Sequence, residues 1–188
     1  IGIGLAMSGY PSVITHQRLD FFLLAFDQLI NSASKWYYMF GKKSNIPITI
    51  RLIVGRGWGQ GPTHSQNLQS IFSHFPGLKV VIPTNPYDAK GLLSASIRDP
   101  NPVLFLEHRW LHNSIGEVPK KNYTISLGVL KKICTGKDLT VISTSYMTVE
   151  FIKILNFLKK KISVDLLDLR SIKPLDIKSI KNSVKKTG

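Results

Sequence analysis

Short apolar runs alternate with segments of helical spacing, and this alternation limits the chain to a small set of folds. Residues 46–54, 78–82, 103–107, 139–144 and 163–168 are rich in Ile, Leu and Val. Such continuous β-branched runs suit strands buried on both faces. A shorter strand is expected over 12–15, after the Tyr10-Pro11 turn. Between them lie helical patterns. Residues 21–40 repeat Phe22, Ala25, Phe26, Leu29, Ile30 and Ala33 at helical spacing, with Asp20 placed to cap and Gly41 to end the helix. Thr63 can cap a helix running to His74, stopped by Pro76-Gly77. Asn85-Pro86 opens another helix reaching Arg98, with Pro86 in its first turn. Strands alternating with helices predict an α/β fold, a mostly parallel sheet with helices on both faces. From His108 to Gly136 the pattern weakens. We place a domain boundary near Asn122, giving units 1–122 and 123–188. The second unit is a partial α/β domain: a helix over 148–160, a turn over 171–174 and a helix over 176–184. The chain opens at Ile1 inside a small-residue helix and stops at Gly188 without a closing strand, so both ends read as cuts in a longer polypeptide.

The 188 residues suffice for one core or for one domain and part of a second. No apolar run approaches the ~20 residues of a membrane helix, and no targeting segment is visible. Cys134 is the only cysteine, which rules out an internal disulfide and fits a reducing compartment, cytoplasm or an organelle matrix. The net charge of +14 raises nucleic-acid binding. The lysines cluster after Pro119, mixed with Ile and Asn and not interleaved with aromatics. A solvated face, or one meeting an acidic protein, explains them better than a base-stacking surface. Neither a membrane nor a nucleic acid is expected as a partner.

Active sites of parallel sheets lie at the carboxyl ends of strands. The loop Gly55-Arg56-Gly57-Trp58-Gly59-Gln60-Gly61 falls at one such end. It contains no G-x-G-x-x-G frame and no P-loop lysine. A tight backbone path near a ligand or a subunit contact is the better reading. His64 follows, at the expected start of a helix, where unpaired amides and the positive dipole end lower an imidazole pKa and suit proton transfer. A structural histidine fits the same position. His74 and His108 read as ordinary, and His16 is left open. Asp99-Pro100-Asn101-Pro102 reads as a turn, although such oxygen-rich turns also hold hard cations. The residues alone lead no further than an α/β domain with a polar site around the glycine loop and His64.

A set of ordered motifs goes further. Ala25-Phe26-Asp27-Gln28-Leu29-Ile30-Asn31-Ser32-Ala33, followed by Lys35-Trp36-Tyr37-Tyr38-Met39, resembles A-I-D-Q-I-I-N-S-A-A-K-x-Y-Y-M. His64-Ser65-Gln66 resembles H-S-Q, and Pro76-Gly77-Leu78-Lys79-Val80-Val81-x-Pro83 matches P-G-L-K-V-V-x-P. Asp88-Ala89-Lys90-Gly91-Leu92, Ile97-Arg98-Asp99-x-Asn101-Pro102-Val103 and Leu169-Arg170-Ser171-Ile172-Lys173-Pro174-Leu175-Asp176 continue the series. Together they resemble the beta subunit of thiamine-diphosphate-dependent pyruvate and branched-chain 2-oxo acid dehydrogenases, in the transketolase superfamily, over almost the whole chain.

The resemblance implies a thiamine-diphosphate pyrimidine-binding domain followed by part of a transketolase C-terminal domain. A partner alpha subunit would hold the diphosphate and its Mg in an α2β2 assembly, and a lipoyl acyltransferase core would receive the acyl group. The chain accordingly contains no G-D-G motif. Phe21 matches the aromatic that packs on the aminopyrimidine, although spacing alone makes it as good a core residue. His64 matches the histidine serving reductive acylation. The family glutamate that drives the pyrimidine tautomer falls before Ile1, so this fragment alone should be inactive. Ile48, Ser96, Ile97, Asp99 and Asn101 match a structural potassium site. The departures are also specific. Gln17 replaces an apolar cofactor contact, His16 and Arg18 add polar groups, and Arg56 and Trp58 change the loop. A polar or anionic acyl group therefore enters the expectation. The alternatives are another reaction of the superfamily, non-oxidative decarboxylation or ketol transfer, and a non-catalytic interaction subunit.

Overall fold

A computed structural model describes residues 1–57 and 59–188. Trp58, one of the expected loop changes, lies outside the described residues. In order, the chain forms α1 (Gly2–Met7), β1 (Ser12–His16), α2 (Leu19–Phe22), α3 (Trp36–Met39), β2 (Ile48–Val54), α4 (Gln69–His74), β3 (Lys79–Val81), α5 (Pro86–Ile97) and β4 (Val103–His108). It continues through β5 (Lys131–Cys134), β6 (Leu139–Ser143), α6 (Ser145–Leu158), β7 (Val164–Asp168), β8 (Ser171–Lys173) and α7 (Ile177–Thr187). Two sheets result, with strand orders β1-β2-β4-β3-β8 and β5-β7-β6. All pairings among β1, β2, β4 and β3 are parallel. The mixed α/β architecture is the one expected.

Each face of the larger sheet is covered. Ile48, Ile50, Leu52 and Val54 of β2, with Leu104 and Leu106 of β4, meet Phe22, Leu29, Ile30 and Phe72 from the helical segments on one side. On the other, Val103 and Phe105 meet Leu92 of α5, with Ile125 and Leu127 packed against them. The segment after β4 is therefore held although it lacks periodicity. Ile125 N–H donates to the Gly91 carbonyl at 3.1 Å, and the Tyr123 ring stacks on Tyr87 at 4.7 Å. Asn85 caps α5 as expected, its side chain accepting from the Asp88 amide at 2.9 Å.

The single helix expected over 21–40 is replaced by α2, a 3-10 turn (Leu23–Ala25), a π-helical segment (Gln28–Ala33) and α3. Ser34 N–H bonds back five residues to Leu29 at 2.9 Å, while its hydroxyl takes the Ile30 carbonyl at 2.7 Å. Polar side chains that bond to the backbone in this way compete with the regular ladder. The displaced backbone also meets Gly77, where a Cβ would lie 1.8 Å from the Ser34 carbonyl oxygen; with a φ of +83°, only glycine fits there. Asp20 does not cap: the helix starts at Leu19, with Arg18 in the cap position.

Two further elements differ from expectation. Residues 171–173, expected as a turn, form β8, an antiparallel strand on the edge of β3, with Val80 opposite Lys173. Residues 131–134, expected within a linker, form β5 against β7. Through β8, residues 171–173 extend the larger sheet beyond β3. The junction is ionic as well: the Arg170 guanidinium donates to Asp88 Oδ1 at 2.6 Å, with the Asp88 side chain fully buried. Breaking such a pair from one side costs about 3–5 kcal/mol, because the remaining charge stays buried.

Asp168 lies beside this pair, fully buried. Burial, then the negative Asp88, raise its carboxyl above the usual carboxylate range, against the opposing pull of Thr84 and Arg170. The folded state thus binds this proton more tightly than the unfolded chain. The stabilisation is complete below the ordinary Asp pKa of about 4 and is lost as pH rises through the raised value. Urea unfolding across a pH series should show Asp168→Asn gaining stability relative to the wild type as pH rises through that window. Parallel curves would exclude the linkage.

Candidate functional site

The parallel pairing of β1, β2 and β4 brings three chain exits to one edge of the sheet. The residues after β1, the glycine loop after β2 and the 3-10 turn Arg109–Leu111 after β4 surround a cavity of 640 Å³ lined by Gln17, Arg18, Phe21, Ile53, Gln60, His64 and Arg109. Position at the carboxyl ends of strands agrees with where such sheets place ligands.

Phe21 and Phe22 separate in the structure. Phe22 is 3% exposed in the core, whereas Phe21 is 49% exposed on the cavity wall. Its ring meets the His64 imidazole edge-on, with centroids 5.0 Å apart and planes at 82°. His64 closes a 3-10 turn, Pro62–His64, and the next helix begins only at Gln69. His64 therefore does not sit at a helix N-terminus as expected, and no helix dipole is aimed at its ring. Thr63 is not a helix cap; its hydroxyl pairs with His64 Nδ1 at 3.1 Å.

Asp20 contributes a fixing contact that the sequence did not disclose. Its carboxylate accepts the Gln66 amide at 3.1 Å and lies 3.9 Å from Arg18 Nε. One buried acid thus ties the Phe21 helix to the His64 turn. The glycine loop is equally constrained: Gly57 has a φ of +93°, and a Cβ there would lie 2.5 Å from the Trp110 ring. This agrees with the tight backbone path expected of the loop.

The remaining histidines lie elsewhere. His16 packs edge-on against Phe22 at 4.9 Å beside an apolar pocket. His74 ends α4 against Phe75. His108 stacks on Tyr146 at 4.9 Å, and burial, then His112, lower its pKa. A second cavity of 580 Å³ contains Arg51, Glu107 and His112. There Arg51 makes bonds of 2.6 and 3.0 Å to Glu107, so the main charges already answer each other.

For the potassium expectation, the structure puts Ser96 and Ile97 at the end of α5, Asp99 and Asn101 in the turn before β4, and Ile48 at the start of β2. The Asp99 carboxylate is bonded to the Lys79 ammonium and accepts from the Asn101 amide at 2.9 Å. The Ser96 carbonyl accepts from Asp99 N–H at 3.2 Å. Among the described residues, no three His, Cys, Asp or Glu side chains gather as a metal site. No helix among them is long and apolar enough to cross a membrane.

A doubly covered, mostly parallel sheet with a cleft at the carboxyl ends of its strands defines the α/β class. Two family models match: transketolase, pyrimidine binding domain, over residues 1–113, and transketolase, C-terminal domain, over 128–188. The chain belongs to the transketolase pyrimidine-binding family. It is 41% identical to the acetoin:2,6-dichlorophenolindophenol oxidoreductase subunit beta of Cupriavidus necator, covering 99% of this chain and 55% of that protein. It is 42% identical to the pyruvate dehydrogenase E1 component subunit beta of Rhizobium meliloti (100% and 41%) and to the mitochondrial 2-oxoisovalerate dehydrogenase subunit beta of Dictyostelium discoideum (99% and 51%). The chain thus spans about half the length of the curated relatives it matches. A solved split-gene transketolase, an inactive beta4 tetramer, superposes with a TM-score of 0.82 at 19% identity, over all of this chain and 58% of that one; it supports the fold alone.

Asp20→Ala should release the Gln66 amide at a cost of about 1–3 kcal/mol. Hydrogen exchange at Gln66 should accelerate while the β2 amides stay protected. Unchanged exchange at Gln66 would exclude the clasp.

Proposed function

We propose that this chain is part of the beta subunit of a thiamine-diphosphate-dependent 2-oxo acid dehydrogenase and supplies the pyrimidine-binding wall of a cleft shared with an alpha subunit. The observation that carries the reading is the Phe21–His64 contact on one wall of a 640 Å³ cavity, within a chain of the pyrimidine-binding family. The exposed face of Phe21 offers a surface for a flat heteroaromatic ring. In this reading the diphosphate and its Mg are held by the alpha subunit of an α2β2 assembly, and the lining residues Gln17, Phe21 and His64 face the pyrimidine. Units 1–122 and 123–188 are retained as proposed domains, with a cytoplasmic or matrix location and a lipoyl acyltransferase core as acceptor.

When bound, the cofactor's thiazolium ring serves as electron sink for decarboxylation of a 2-oxo acid. This chain's residues orient and exchange protons around it. Phe21 orients the pyrimidine from one side, and Gln17 is proposed as a polar neighbour of that ring. His64, oriented through Nδ1 by Thr63, would leave Nε2 to move a proton during acyl transfer. Potassium is retained as a proposal at the Asp99 turn, where it would bind main-chain oxygens and compete with the Lys79 ammonium for Asp99.

In the full-length subunit assembled with its alpha partner, His64→Ala should slow lipoyl acylation at least about tenfold more than CO2 release, the scale of a lost proton-transfer group. Single-turnover measurement of both steps tests this. Equal loss in both would remove the assigned role.

A further inference from the structure

The composition of the cavity wall indicates a substrate class, and this inference rests on the thiamine-diphosphate reading above. Among its lining residues are two arginines, Arg18 and Arg109, two glutamines, Gln17 and Gln60, and no carboxylate. Phe21 and Ile53 are the apolar contributors.

The two arginines differ. The Arg18 side chain is 11% exposed and lies 3.9 Å from Asp20, so a buried acid answers part of its charge. Arg109, the first residue after β4, is exposed, and among the described residues no hydrogen bond or ion pair engages its guanidinium. A branched aliphatic side chain pressed against this wall would strip water from guanidinium and amide groups without replacing their hydrogen bonds. A carboxylate or a phosphorus oxyacid matches the guanidinium fork and leaves the amides satisfied.

We infer that the 2-oxo acid taken by this cleft carries a second anionic group, a carboxylate or a phosphorus oxyacid, held by Arg109 with Gln60 beside it. The loop after β2 supplies Gln60 and the turn after β4 supplies Arg109. The subsite is therefore assembled by the sheet edge rather than by any one loop. Arg109 acts here as a specificity determinant.

The test uses the full-length complex with its alpha subunit and follows thiamine-diphosphate-dependent CO2 release with an artificial electron acceptor. Four probes are compared: 2-oxoglutarate, phosphonopyruvate, pyruvate and 2-oxoisovalerate. At least one of the first two should exceed 2-oxoisovalerate in kcat/KM by about tenfold or more, and which one does so separates the carboxylate from the phosphorus oxyacid. Arg109→Gln should lower that ratio about tenfold, the scale of a lost charge-assisted hydrogen bond. Arg109→Lys, which keeps the charge without the fork, should lower it less. If pyruvate or 2-oxoisovalerate is the best substrate, or if Arg109→Gln depresses every acid equally, the inference is overturned while the cofactor reading stands. If no acid is decarboxylated in a cofactor-dependent way, the cofactor reading itself falls and takes the inference with it.

Discussion

Parallel pairing of three neighbouring strands is the constraint on which the rest depends. Because β1, β2 and β4 run the same way and lie side by side, everything that follows them leaves at one edge. The pairing is secured by apolar burial on both faces, with Ile50 opposite Leu104 and Leu52 opposite Leu106 in register. Slipping that register by one residue would turn the charged Arg51 and Glu107 toward the face packed on Phe22, Leu29 and Phe72. The core thus sets the aim of side chains more than 40 residues apart, Phe21 and His64 among them.

Much of the scaffold was legible because it is locally encoded. The β-branched run in β2 and the Asn85-Pro86 start of α5 each carry their own signal. The broken helix did not, because its cause is tertiary. Ser34 bends the ladder, and Gly77, 43 residues later, accommodates the displaced carbonyl. β8 was equally hidden: three residues with no periodicity become a strand only because the edge of β3 is available. β5 is brief and begins with two lysines, so nothing in its composition separated it from a linker.

The site divided in the same way. Family motifs pointed to Phe21 and His64, and the fold brings them into contact. Spacing alone could not say which of Phe21 and Phe22 faces the core, since adjacent positions on a short helix both fit an apolar stripe. His64 lies off any helix N-terminus because a 3-10 turn and a four-residue connection intervene before α4. Asp20 was legible only as a cap, Gln60 only as part of the glycine loop, and Arg109 not at all, because their places in the cavity arise only when separate loops converge.

The cavity wall is aromatic at Phe21 and cationic or amide elsewhere, a combination suited to a flat ring beside an anion. Phe21 and Gln17 belong to the proposed cofactor, and Arg109 with Gln60 to the proposed substrate. The most direct test of that division is calorimetric titration of thiamine diphosphate into the full-length alpha–beta complex, wild type against Phe21→Ala. Stacking of a pyrimidine on an aromatic side chain is worth about 1–3 kcal/mol, so Kd should rise about five- to 150-fold in the variant. An unchanged Kd, with both complexes intact, would contradict the account.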